Sequence, residues 1–235
     1  YKDGRMTEKL TPAKIEEIGR HYENIQSGKT PIIKSEKEIS AHLDVSKLME
    51  KKEDKKVLPL IPPSDPRLLM QIAPFEDSTL EQFNMKDRKD LSKIMYDTMV
   101  KYGGLGLSCN QVGLPYRMFV MGGHPSIEEG KVRYVFNPIV NDVSEETVVF
   151  KEGCLSFPFL FLSIKRPKWV SVRYTDENNE EIEETLHSMS GRIFQHENEH
   201  MNGYLFTDLV SKFKLDRAKK AQMKLIKETV RKRNG

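Results

Sequence analysis

Apolar residues follow two rhythms along this chain. From Asp87 onward Leu91, Ile94, Met95, Thr98 and Met99 recur at three- and four-residue spacing, which predicts a helix over about 88–102. Gly103-Gly104 follows where a left-handed cap closes such a helix. β-Branched and aromatic runs then predict strands at Arg117–Met121, Val132–Phe136, Val143–Phe150 and Trp169–Tyr174. Asp176 to Asn179 supplies turn residues ahead of a polar strand near Glu181–Leu186. The helical period returns over about 188–201 and stops at the cap pair Asn202-Gly203. A last helix, roughly 214–232, carries Leu215, Ala218, Ala221 and Leu225 on one stripe. This order predicts an α+β fold, with mostly antiparallel sheets packed around a central helix.

The chain before residue 57 reads differently. It is charged, has no aromatic residue other than tyrosine, and predicts at most two short helices, about 11–25 and 36–51, the second with Ile39, Leu43, Leu48 and Met49 on one stripe. Residues 1–56 are therefore read as a charged N-terminal extension, and 57–235 as one domain. Tyr1-Lys2-Asp3 ahead of Met6 reads as a tag remnant, and residues 1–5 carry no weight. Pro59, Pro62, Pro63 and Pro66 make 57–67 an extended lead-in, because each proline fixes φ and removes a backbone donor.

A length of 235 residues allows one sizeable domain with an appendage, or two small ones. At that size roughly 70% of the unfolded surface can be buried, so no disulfide staple is needed. The two cysteines, Cys109 and Cys154, cannot form a framework; they fit a reducing, cytoplasmic setting and are free for chemistry. The longest apolar stretch, Phe157 to Leu162, is six residues, far short of the roughly 20 of a membrane span. An organellar address stays open, although the Glu and Asp content of the extension argues against a simple transit peptide.

The formal charge is +3, unevenly spread. Residues 211–235 hold 10 Lys or Arg against Asp216 and Glu228, whereas 57–210 hold 15 basic and 22 acidic residues. Attraction for a polyanion therefore lies at the C-terminal end, or that helix is simply a solvated basic face.

Chemistry concentrates in His196-Glu197-Asn198-Glu199-His200. Four residues of helix advance about 6 Å and return two imidazoles to one face, where both reach one metal ion. Glu197 beside them is placed to take a proton from water activated at that ion. A third ligand is required. Glu228, 28 residues after His200, lies in a strongly basic helix, and Cys154 in Glu152-Gly153-Cys154-Leu155-Ser156 is the better candidate. A thiolate is a strong ligand for Fe(II) or Zn(II). The glycine-rich run from Gly103 to Gln111 lets backbone approach a ligand, and the Gln111 amide can steady a developing oxyanion.

In order, Gly104-Leu105-Gly106-Leu107-Ser108-Cys109-Asn110-Gln111, Glu152 to Ser156 and Gln195 to His200 resemble the three motifs of the peptide deformylases, over about 58–232. The resemblance implies removal of the N-formyl group from the initiator methionine of nascent polypeptides, with release of formate. It implies that Cys154, His196 and His200 bind the metal, Fe(II) in the cell and Zn(II) or Ni(II) in a preparation. It implies Glu197 as the proton carrier, and Gln111 with the Leu155 backbone N–H as oxyanion donors. Gly104, Leu105 and Ile193 would receive the N-formylmethionyl peptide, which lies as an added strand beside Gly104–Leu105 and the segment after Cys154. The basic last helix is associated in the family with ribosome docking. Departures from the pattern are Ser108 and Cys109 for two alanines, Glu199 for an aspartate, and Phe161 where an arginine is frequent. Phe159 to Leu162 would then form an apolar wall. Glu152 is expected to pair with Arg166 or Arg192.

Two other readings are open at this stage. A zinc endopeptidase would use the same helix with a ligand other than Cys154. A binding component would dock on a larger assembly through its extension or tail, with catalysis secondary or lost.

Overall fold

The structure, a computed structural model, describes residues 56–233, so both helices expected at 11–25 and 36–51 lie outside the described residues. Helix α1 spans Arg88–Lys101. It starts where the Asp87 carboxylate accepts the Asp90 backbone N–H at 2.8 Å. It ends in a left-handed Gly103, with the Gly104 N–H reaching back to the Met99 carbonyl. Seven strands follow: β1 Gly106–Ser108, β2 Met118–Gly122, β3 Val132–Val143, β4 Thr147–Cys154, β5 Phe157–Pro167, β6 Trp169–Thr175 and β7 Glu181–His187. Helix α2 is Ser188–Met201 and helix α3 is Lys212–Arg233.

All pairings are antiparallel, in a five-stranded sheet ordered β1-β2-β3-β6-β7 and a separate β4–β5 hairpin. Period-2 alternation explains how the large sheet meets α2. Val170, Val172 and Tyr174 of β6, Leu186 of β7 and Phe119 and Met121 of β2 point to one face. There they join Ile193, Phe194 and Met201 of α2. Phe119 and Tyr174 stack on Phe194 with ring centres 5.2 and 6.4 Å away. The hairpin closes over the other side of α2. Leu160, Leu162 and Ile164 of β5 bury with Cys154 and Phe206, and Leu215 and Ala218 of α3 pack against them. The central helix thus sits between sheet and hairpin, as expected from the element order.

Several expected boundaries are corrected. The run 143–150 is two strands: β3 ends at Val143 and β4 starts at Thr147. Between them the Ser144 hydroxyl donates to the Glu146 carbonyl and accepts the Lys168 N–H. Residues 157–167 form a strand that the continuous apolar run concealed, and 106–108 form another inside the expected turn. The lead-in is extended up to a turn at Pro63–Ser64, closed by the Asp65 N–H on the Pro62 carbonyl, and runs on into Pro66–Leu69, a short 3-10 turn capped by Asp65. On α3, Ala221 is exposed, and Gln222 beside it is half-buried with its amide donating to the Pro158 carbonyl at 2.7 Å.

Candidate metal centre and its surroundings

Helical period places His196 and His200 on the side of α2 that faces the hairpin, with ring centres 5.2 Å apart. On β4 the same alternation that turns Glu152 inward turns Cys154 inward two residues later. One ligand atom each from Cys154, His196 and His200 lies within 4.8 Å of the others. Cys154 Sγ is 3.3 Å from His200 Nε2. Two ligands of one tetrahedral ion at ordinary Zn–S and Zn–N lengths stand about 3.5 Å apart, so the spacing fits a shared cation. A thiolate with two imidazoles is also the donor set that borderline-soft divalent metals take. Glu228, the other candidate for third ligand, is half-exposed on α3 near Lys224 and stands outside this group.

The environment supplies the ligand orientation. His196 Nδ1 faces Glu152 Oε2 at 3.2 Å, which leaves Nε2 for a metal. Burial disfavours the charged form of His196, but hydrogen bonds to Cys154 and Glu152 outweigh it and hold its pKa well above the ordinary value. His200 goes the other way: burial first, then the charges of His196 and Arg166, push its pKa well down and keep it neutral. Its Nδ1 has no hydrogen-bond partner among the described residues. For Glu152, burial alone would raise the pKa, yet His196 and Arg166 bring it down to about 2.

Both expected partners of Glu152 are present. Arg166 binds it through Nε at 2.6 Å and an amino group at 3.0 Å, and Arg192 binds it at 2.5 Å. Glu199, one methylene longer than the usual aspartate, takes the adjacent edge of Arg166, through Nη1 at 2.5 Å and Nη2 at 2.9 Å.

Glu197 is buried, and burial raises its carboxyl pKa. The Ser108 hydroxyl donates to Glu197 Oε2 at 2.6 Å, while the Ser108 N–H donates to Gln111 Oε1 at 2.8 Å. The Gln111 amide therefore points its Nε2 at Cys154 Sγ, 3.4 Å away, and at Ser156 Oγ, 3.1 Å away. A Cβ on Gly106 would lie 2.8 Å from Ile193 Cγ2 and closer still to Glu197 Oε1. One on Gly104 would lie 2.7 Å from a Leu155 methyl. Of the expected site residues, Gln111 thus touches Cys154, Leu155 packs against Gly104, and Ile193 and Glu197 close on Gly106, while the Leu105 side chain is exposed.

Ser108 and Gly106 are the neighbours that motif reading passed over. The signal for Ser108 was its hydroxyl where the pattern has alanine. The apolar wall is corrected: Leu160 and Leu162 turn inward, while only Phe159 and Phe161 remain half-exposed. The Phe161 ring covers Gly153, and Lys151 Nζ stands 5.4 Å from its centre. Among the described residues no helix is long and apolar enough to cross a membrane.

Known proteins share this fold and much of the sequence. The sequence model of the family described as Polypeptide deformylase matches residues 57–216. A peptide deformylase of Wolbachia pipientis wMel is 37% identical over 183 residues, 73% of this chain and 97% of the relative. One from Maricaulis maris is 39% identical over 132 residues, 56% of this chain and 76% of the relative. The crystal structure of peptide deformylase from Ehrlichia chaffeensis superposes with a TM-score of 0.63 at 34% identity, covering 73% of this chain and 98% of that one. With 57–216 matched and the antiparallel fold shared, the chain belongs to the polypeptide deformylase family, the metal-dependent enzymes that remove the formyl group from N-terminal methionine.

Proposed function

We propose that Cys154, His196 and His200 hold the catalytic ion, Fe(II) in the cell, with Zn(II) or Ni(II) able to take the same ligands in a preparation. The observation that carries this reading is the convergence of one sulfur and two ring nitrogens within 4.8 Å, next to a buried carboxylate. A divalent ion there supplies Lewis acidity to a water and to the formyl carbonyl. Glu197 accepts the water's proton on its carboxylate and returns it to the leaving amine; burial raises its carboxyl pKa, the direction that makes the carboxylate a stronger base. Gln111 donates its amide N–H, and Leu155 its backbone N–H, to the oxygen that gains charge. Gly104, Leu105 and Ile193 receive the formylmethionyl end of the peptide.

The catalytic unit is residues 57–235, working in the cytoplasm, with 1–56 a separate extension. Helix α3 is the surface for the ribosome. Its packed side uses Leu215 and Ala218, and Lys212, Lys214, Arg217, Lys219, Lys220, Lys224 and Lys227 are left exposed toward RNA phosphates. Co-sedimentation with ribosomes should weaken steeply as salt rises, and binding indifferent to salt removes this part of the reading.

The central test is formate release from formyl-Met peptides by wild type and Cys154→Ala, with metal content measured in parallel. Loss of both metal and turnover in the variant is expected. Full metal content in Cys154→Ala would overturn the ligand assignment.

A further inference from the structure

We infer that Glu199 is a positioning residue for the metal centre: acting through Arg166, it sets the separation between the strand that carries Cys154 and the helix that carries the two histidines. The inference rests on the ligand assignment above. Cys154 sits on β4 and both histidines on α2, so the geometry of the three ligands depends on how those two elements are held together. Direct backbone pairing does not join them, and a side-chain clamp does.

Arg166 is the centre of that clamp. It occupies the inward row of β5 that begins with Leu160, Leu162 and Ile164, and only 2% of it is exposed. One edge of its guanidinium grips Glu152, two residues before Cys154, and the other grips Glu199, the residue before His200. Both contacts are two-point, which fixes angle as well as distance. Glu152 in turn fixes the His196 ring through Nδ1. A single planar cation thereby links the neighbourhoods of all three ligands.

Among the two arginines and two glutamates of the clamp, the charges balance only with Glu199 present. Arg166 and Arg192 bring two positive charges to a buried place, and Glu152 and Glu199 bring two negative ones. Without the Glu199 charge, an unmatched guanidinium remains within reach of His200, which disfavours a divalent cation and draws Glu152 toward the arginines. The Glu199 carboxylate is about a quarter exposed, so neutralising it does not place a new buried polar group in the core.

The test compares wild type, Glu199→Gln, Glu199→Asp and Cys154→Ala by chelator-competition affinity for Co(II) and Zn(II). It adds the visible spectrum of the Co(II) form and the gain in Tm on loading the metal-free protein. Glu199→Gln should bind metal about ten- to a hundred-fold more weakly. It should also alter the Co(II) bands and shrink the Tm gain, on top of the fall in metal-free Tm that a weakened Arg166 pair brings. Glu199→Asp should recover most of the affinity. If Glu199→Gln matches wild type in affinity and spectrum, or if it only lowers the metal-free Tm, the positioning role is wrong even where Cys154→Ala loses its metal. If Cys154→Ala keeps wild-type affinity, the ligand assignment fails and this inference falls with it.

Discussion

Helix α2 has two sides built on opposite principles. Toward the five-stranded sheet it sets Ile193, Phe194 and Met201 against aromatic and branched side chains. That contact is non-directional, and its strength scales with area at about 25 cal/mol per Å². Toward the β4–β5 hairpin it sets Arg192, His196, Glu199 and His200 against Glu152, Cys154 and Arg166. There the contacts are directional, charged and costly when one member is removed. One side of the helix holds the fold and the other holds the chemistry, so substitutions on the two sides should fail in different ways.

The largest separation is expected at Glu197→Gln. Formate release should fall by about 10²- to 10⁴-fold. The Tm should hold or rise, because a buried carboxylate no longer has to be accommodated. A matching collapse in Tm would erase the division. Next, Phe194→Ala should cost about 3–5 kcal/mol in urea unfolding while the folded fraction keeps its metal-binding affinity.

A smaller effect sharpens the hairpin side through pH. The Glu152 pKa lies below its ordinary value of 4.5, at about 2, so the charged form favours the folded state. That contribution is complete above about pH 4.5 and is lost as pH falls toward 2, and acid titration of Glu152→Gln should show a shallower decline over that window. The smallest effect is expected at Ser108→Ala, which removes one hydrogen bond to Glu197 and should change kcat by about two- to tenfold with KM and metal content unchanged. Equal shifts in kcat and metal content would place Ser108 on the structural side.

The Cys154–His196–His200 cluster was legible because helical spacing alone brings His196 and His200 together, and because Cys154 stands at the centre of a short motif with few other roles. The clamp was not. Arg166 finds Glu152 only through hairpin pairing, where Val148 faces Arg166 and Glu152 faces Leu162. That hairpin was hidden because Phe157 to Leu162 runs apolar without a break, and because Phe159, at φ 63°, interrupts the alternation at its start. From Leu160 the alternation is regular, and continuing it to Arg166 marks that arginine as inward-facing. The turn at Ser144–Glu146 escaped notice for a related reason. It contains neither glycine nor proline and is closed by the Ser144 side chain, a device that composition does not announce.

Gly106 has one further consequence. The volume that any other amino acid would fill there is already taken by Glu197 and Ile193. Even an alanine there would press on the Glu197 carboxylate that the Ser108 hydroxyl holds, so its neighbours, rather than its backbone angles, require glycine at this position.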